Sequence, residues 1–491
     1  MNSVRTETPA YRRALLDELR ARVPGTVAEP REPTYEELVR PWNLAVEMRP
    51  AAVVAPLSAA DVSATVAFAR AQKMTVGVQA TGHGAVSSLA GHILLVTGHL
   101  DEVTIHPEER WARVGAGVKW RRVIEAAAPY GLAPLNGSSS DVGVIGYTTG
   151  GGVGPMTRTF GIAADRVRAF DVVTGDGVLR RVTPDEHPDL FFALRGGKGA
   201  GGIVTAVEFD LLPLAGFYGG AVYFAGEDAP TVIDRWRAWS RTLPEQATTS
   251  FAILQVPPDA ADAPPPLVGR MAISVRFLWV GDPDDGSRLL DQMRTVAPVL
   301  VDDAAVKPYT EVDSVHADPV DPMPVRDPAM LLTDFTDETV ERLLAVAGPE
   351  SDSPQIIVEV RQLGGAYARK GAHPSAFVHR SAAYSVLAVG VALDPAVVPH
   401  AQRLFAALAD WDTGGVWPNY GPPHDATSAR RAYDEPTLAR LAAVAERYDP
   451  DGVLAADAFV RGSAAATSIS APALAGSGGT CCGDRSDSVE A

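Results

Sequence analysis

Chemistry concentrates first at His83, which stands between Gly82 and Gly84 at the end of a short, mostly apolar run beginning at Val76. Glycines on both sides let the backbone fold into a tight concavity with several N–H groups turned inward. Such a nest binds phosphate without a lysine. His83 then projects from the rim of an anion cradle; the plain alternative is a turn histidine with no special task. Two further glycine tracts, 137–154 and 195–202, bracket the same kind of chemistry. Val142, Val144, Ile145 and Tyr147 interleave the first of them. A flexible linker would be more polar, so the tract reads as a backbone-rich ligand cradle.

Other chemistries lack their signatures. A Rossmann fingerprint needs Gly-x-Gly-x-x-Gly between strand and helix, and the runs starting at Gly115 and Gly199 both fail at the last position. There is no Walker P-loop, no His-Glu-x-x-His and no Gly-x-Ser-x-Gly elbow. The ten histidines show no ligand spacing and the only cysteines are the adjacent Cys481 and Cys482, so no metal site and no disulfide framework are expected.

The elements that must position these residues follow from periodicity. Helices are expected over 11–22, 34–40 (opened by a capping box of Thr34 and Glu37), 58–71 capped by Ser58, 119–128 and 189–194. Strands are expected over 51–55, 74–79, 94–96, 102–106, 111–115, 167–173, 178–182 and 203–212, the last alternating between two faces. Strand 51–55, helix 58–71 and strand 74–79 make a βαβ unit that feeds the His83 turn. After Pro213 the character changes: strands at 250–255, 270–280, 355–362 and 383–391 with helices at 231–239, 287–296 and 337–347 describe an antiparallel sheet covered by helices on one side. Helices at 426–433 and 435–448 pack back on the first part, and 462–491, rich in Ser, Ala and Gly, is expected to be disordered. The fold class is α+β, with domains at 1–214, 215–412 and 413–461.

Composition sets limits on partners. The chain has 491 residues and a net charge of −17, which argues against nucleic acid and anionic membrane. No apolar run reaches the length of a membrane span, and residues 1–22 lack a signal core. A cytoplasmic monomer or homodimer is expected.

Four motifs in order carry a resemblance: Gln-Ala-Thr-Gly-His (79–83), Val-Gly-Val-Ile-Gly-Tyr-Thr-Thr-Gly-Gly-Gly (142–152), Phe-Gly-Ile-Ala-Ala-Asp-Arg-Val (160–167) and Asp-Leu-Phe-Phe-Ala-Leu-Arg-Gly-Gly (189–197). With them the chain resembles the berberine bridge enzyme-like flavoproteins of the vanillyl-alcohol oxidase superfamily, which also holds 6-hydroxynicotine oxidases. The resemblance covers 42–212 and, more weakly, 419–454. It implies a two-part, PCMH-type FAD-binding domain and a substrate domain. It further implies that Gln79, Ala80, Thr81, Gly82, Gly84 and Ala85 hold the FAD diphosphate and that His83 bonds covalently to the flavin 8α-methyl. A neutral imidazole nitrogen attacking an electrophilic flavin is sound chemistry. Where many relatives add a second link through cysteine this chain has Ser139, so attachment through His83 alone is implied. Gly117, Ser138, Val142, Gly143, Gly146, Tyr147, Gly150, Gly151, Gly152, Gly202, Val204, Asn419 and Tyr420 complete the implied cofactor contacts. Valine at 142 matches a position beside the flavin's reactive edge that leaves room for dioxygen.

The departures bear on catalysis. Gln79 replaces the arginine usual at the start of the His83 turn. Trp417 replaces a tyrosine that can assist proton abstraction, and tryptophan cannot act as a base. Ala388 occupies the strand position where plant members place Glu or Gln. Tyr420, Tyr384 and His379 are then the candidate proton-handling residues, and Trp417 and Gln362 the candidate substrate-pocket residues, each with a structural role as the alternative. The expected activity is hydride transfer from an alcohol or amine carbon of a small organic substrate to FAD, then to O2. A dehydrogenase, a flavin-containing sequestering protein and an interaction protein with glycine-rich loops remain open at this point.

Overall fold

In the computed structural model, residues 9–85, 89–422 and 424–461 are described. The expected disorder of 462–491, and Cys481 and Cys482, lie outside them. Ser58 caps the helix Ala59–Gln72 by accepting from the Asp61 N–H, a bond worth about 1 kcal/mol. That helix links the strands Ala52–Ala55 and Val76–Gln79, as the βαβ reading required. The two strands are not neighbours, because Ile93–Val96 lies between them and runs parallel to both. Val76–Gln79 therefore sits at the edge of a four-stranded sheet, and its C-terminal end delivers the His83 turn.

The capping box at Thr34 does not form. The helix there is Pro33–Val39, Glu32 is at its N-cap, and no side chain bonds the cap. A five-stranded sheet follows, in the order Val103–His106, Trp111–Gly115, Ile203–Asp210, Val167–Val173, Leu179–Val182. Ile203–Asp210 is central in it and buried on both faces apart from its last residue, so the expected in–out alternation is not realised.

The large sheet has nine strands. Gly216–Ala225, Met271–Trp279, Ala247–Gln255, Ile357–Gln362 and Tyr384–Val391 lie side by side in that order. Glycine masked the pattern of Gly216–Ala225, which was not anticipated, and neither was the helix Val397–Ala407. Side chains alternate between faces along each strand. One face, with Phe251, Ile253, Ile273, Val275, Phe277, Val358, Val360 and Val386, forms an apolar core under the helices Ala229–Ser240, Pro283–Arg294, Asp337–Ala347 and Val397–Ala407. The opposite face carries Ser250, Arg276, Glu359 and Arg361, all buried. That face was expected to be open; it is covered by the first part of the chain.

Buried arginines join the parts. Arg158 donates to the carbonyls of Ala247, Leu243 and Leu363. Arg195 donates to Ala164 O at 2.6 Å and to the carbonyls of His373 and Pro374. The helices Ala426–Ala432 and Glu435–Tyr448 return to the first part, placing Tyr433, Leu441, Val444 and Tyr448 in its core.

Gly117 illustrates a packing glycine. A Cβ there would run into Thr97 O. Gly117→Ala is expected to cost roughly 1–3 kcal/mol of stability through overpacking, measured by urea unfolding.

Candidate functional site

One large cavity, of about 820 Å³, opens between the first part and the charged face of the large sheet. It falls within the roughly 300–1,000 Å³ range of ligand sites. Its floor is the His83 turn. Gly82 takes a φ of 80°, and a Cβ there would press on Pro41. Gly84 has no such conformation; its small size keeps space open toward Lys198. Gln79, Ala80, Thr81, Gly82, His83, Gly84 and Ala85 all line the cavity.

The His83 ring stacks on Trp42 with centroids 4.2 Å apart. Burial pulls its pKa down to about 4, so the imidazole is neutral at physiological pH. Its Nε2 is buried without a hydrogen-bond partner. Gln79 Oε1 and Tyr147 Oη are likewise buried and unpartnered. Unsatisfied polar atoms on a cavity wall cost free energy until something fills them.

The first glycine tract is folded around the short helix Val144–Thr149. Ser138, Ser139, Val142, Gly143, Gly146, Tyr147 and Gly150 line the cavity, as do Gly202 and Val204 of the second tract. Gly117, Gly151 and Gly152 do not line it. Gly151 packs against Phe377 and Gly152 against Tyr147 and Ala163, so these are close-approach glycines behind the wall.

Lys198, which the motifs did not single out, lies in the second tract with a φ of 55°. Its Nζ donates to Gly146 O at 2.8 Å and to Asn419 Oδ1 at 2.7 Å. Asn419 in turn donates to Tyr147 O at 2.9 Å. Among the described residues no carboxylate pairs with Lys198, and burial pulls its pKa down to about 8. A half-buried ammonium with only neutral partners is suited to an anionic ligand. The missing charge at Gln79 thus has a substitute from a distant loop.

On the far wall the sheet presents Arg276, Glu359, Leu387 and Val389. Glu359 pairs with Leu387 across the strands, and Val358 with Ala388. Ala388 therefore points into the helix-covered core, and the carboxylate on the cavity side comes from the neighbouring strand. Burial alone would raise the Glu359 carboxyl, but Arg361 and Arg276 hold it well below the usual carboxylate range. Arg361 Nη2 lies 3.1 Å from Glu359 Oε1.

Alternation also decides the fate of other candidates. Tyr384 and Gln362 share the core face. Tyr384 packs on Trp236 and Phe335, and Gln362 donates to Ser240 O on the covering helix. His379 bonds Ala432 O at 2.8 Å through Nε2. None of the three lines the cavity, so these proton-handling and substrate-pocket assignments are corrected. Tyr420, Trp417 and Asn419 do line it. Trp417 donates to Tyr367 Oη at 3.0 Å, and burial pushes the Tyr420 pKa up to about 12.

Residues 50–183 match the family model described as an FAD binding domain. (R)-6-hydroxynicotine oxidase of Paenarthrobacter nicotinovorans is 28% identical over 310 residues, 60% of this chain and 64% of that protein. An FAD-dependent monooxygenase of Aspergillus calidoustus is 33% identical over 186 residues, 36% of each chain. These matched stretches span less than two thirds of the relatives' length. Crystalline 6-hydroxy-D-nicotine oxidase from Arthrobacter nicotinovorans superposes with a TM-score of 0.74 at 24% identity, over 88% of this chain and 96% of that one. Berberine bridge enzyme from Eschscholzia californica superposes at 0.76 and 17% identity, over 89% and 97%. The fold is that of the berberine bridge enzyme-like flavoproteins. The cavity accordingly belongs to an FAD-binding domain, and its unpartnered atoms and unpaired ammonium fit that group.

A depressed histidine pKa destabilises the apo protein as pH falls from the unfolded value near 6.5 toward 4, because the unfolded chain binds the proton first. The apo-protein stability curve of His83→Gln is expected to be flatter than that of the unsubstituted apo protein between these values, as read by urea unfolding across pH.

Proposed function

We propose that this protein is an FAD-dependent oxidase acting on an alcohol or amine carbon of a small organic substrate, with FAD held by a single covalent bond to His83 and hydrogen peroxide as the second product. The reading is carried by one observation: a neutral, unpartnered imidazole nitrogen at the edge of an FAD-domain cavity whose opposite wall holds an ionised carboxylate. When bound, FAD supplies the hydride acceptor and the centre that dioxygen reoxidises.

The chain's own residues do the rest. His83 Nε2 provides the nucleophile for attachment, and Trp42 holds the ring in place. Gln79–Gly84, Ser138 and Gly202 enclose the cofactor, and Lys198 offsets its negative charge. Glu359 accepts a hydrogen bond from the substrate's O–H or N–H. Its depressed pKa makes it an orienting acceptor and a weak base. Tyr420, protonated at neutral pH, donates from the same region, and Trp417 offers a flat apolar wall. Val142, small and on the cavity lining, leaves space for dioxygen.

Acid precipitation tests the covalent link: yellow colour is expected in the washed pellet and is expected to be absent from it in His83→Ala. Colour released to the supernatant from the unsubstituted protein would overturn the link. Anaerobic reduction by a substrate panel, then rapid reoxidation in air with peroxide release, is expected; reduced flavin stable in air would make the protein a dehydrogenase.

Two variants probe the wall charges. Glu359→Gln is expected to lower kcat/KM about 10- to 100-fold with FAD content unchanged, the loss of a charge-assisted hydrogen bond of roughly 1.5–3 kcal/mol. In a His83→Ala background, Lys198→Met is expected to weaken FAD binding by a similar factor, measured by fluorescence titration.

A further inference from the structure

Beside Glu359, on the same face of the sheet, lies a second, small hole of about 10 Å³. It is distinct from the large cavity, though Arg276 lines both. That volume suits a single water-sized occupant. The hole is built by cross-strand register: Ser250 stands directly opposite Arg276 on one side and Arg361 on the other. Thr248 on the Ser250 strand and His316 from outside the sheet complete its polar lining.

Five buried side-chain atoms on these lining residues lack any partner: Thr248 Oγ1, Ser250 Oγ, Arg276 Nε, His316 Nδ1 and Arg361 Nη1. Two are guanidinium N–H groups, which can only donate. His316 Nε2 lies 3.0 Å from Arg361 Nη2 and must accept from it. The neutral imidazole therefore carries its proton on Nδ1, a third donor. The two hydroxyls have no acceptor for their protons elsewhere and can turn them into the hole. A water there would find no acceptor except those hydroxyls, whose own protons would then be stranded.

Charge points the same way. The ion pairs of Arg276 and Arg361 among the described residues both end on Glu359, so two cations share one carboxylate. Burial keeps His316 neutral and adds nothing to the sum. Asp318 also acts on Arg361, but without an ion pair, so at contact distance the buried site holds one more guanidinium than carboxylates, which is expensive.

We propose that this hole is a binding site for one small monoatomic anion of the halide class, held by Arg276, Arg361, Ser250, Thr248 and His316. The anion neutralises the guanidinium pair that braces Glu359. The proposal does not rest on the flavin reading: among the donors only Arg276 also lines the large cavity, and the hole is separate from it.

The test uses the full-length holoprotein. Crystals soaked in sodium bromide are expected to show an anomalous peak between Arg361 Nη1 and Ser250 Oγ. Tm is expected to rise saturably when sodium gluconate is replaced by sodium chloride at constant ionic strength, because a ligand bound only to the folded state stabilises it by mass action. The rise is expected to be lost in Thr248→Val/Ser250→Ala. An ordered water without anomalous signal in bromide, or equal Tm in the two salts, would overturn the proposal. Should the double variant fail to fold, the bromide experiment on the unsubstituted protein decides alone.

Discussion

Alternation of side chains across a strand is the constraint on which this site rests. The nine-stranded sheet buries both of its faces, but for opposite reasons. One face is apolar and takes the helices. The other carries Ser250, Arg276, Glu359 and Arg361 and closes the cavity from above. A shift of one residue in any of these strands would exchange the two faces. It would bury Glu359 among Phe251 and Val275 and turn Val358 or Val360 toward the cofactor wall.

The halves are held together by backbone capture as well as by apolar contact, such as Val153 and Ile162 with Leu363 and Phe377. Arg158 and Arg195 lie in the FAD-binding part and spend their donors on carbonyls that include those of the large sheet and its loops. A guanidinium without its carbonyls would be a buried charge without solvation. The relative position of floor and wall is therefore tightly specified, which a cavity shared between two parts requires. Gly117, Gly151 and Gly152 serve the same end by letting backbone and aromatic rings approach.

Two charges on opposite sides of the cavity stand out. Lys198 stands beside the glycine tracts with neutral partners only, and Glu359 on the sheet wall beside two arginines. The His83 ring is neutral between them. The arrangement puts positive charge on one side of the cavity and an acceptor on the other. Glu359 is buried and Lys198 half-buried, so neither is screened as fully as a surface pair would be.

Local chemistry in the chain announced several elements of the first part, though not the start of the helix Pro33–Val39 or the two-sided burial of Ile203–Asp210. The Gly-His-Gly turn, the tract beginning at Gly137 and the helix capped by Ser58 depend on neighbouring residues, and their spacing announces them before any folding. Residue type alone also determined that Trp417 and Ser139 cannot repeat the roles of the tyrosine and cysteine they replace. Tertiary structure decided the rest. Tyr384, Gln362 and His379 carry suitable chemistry, but the face of a strand and the contact of a loop set where they point, and strand register is a non-local property. Glu359 and Arg276 come to one wall from strands more than eighty residues apart in the numbering, and Lys198 meets Asn419 across an even longer separation. No local pattern encodes such meetings, because they are paid for by the packing of the whole chain.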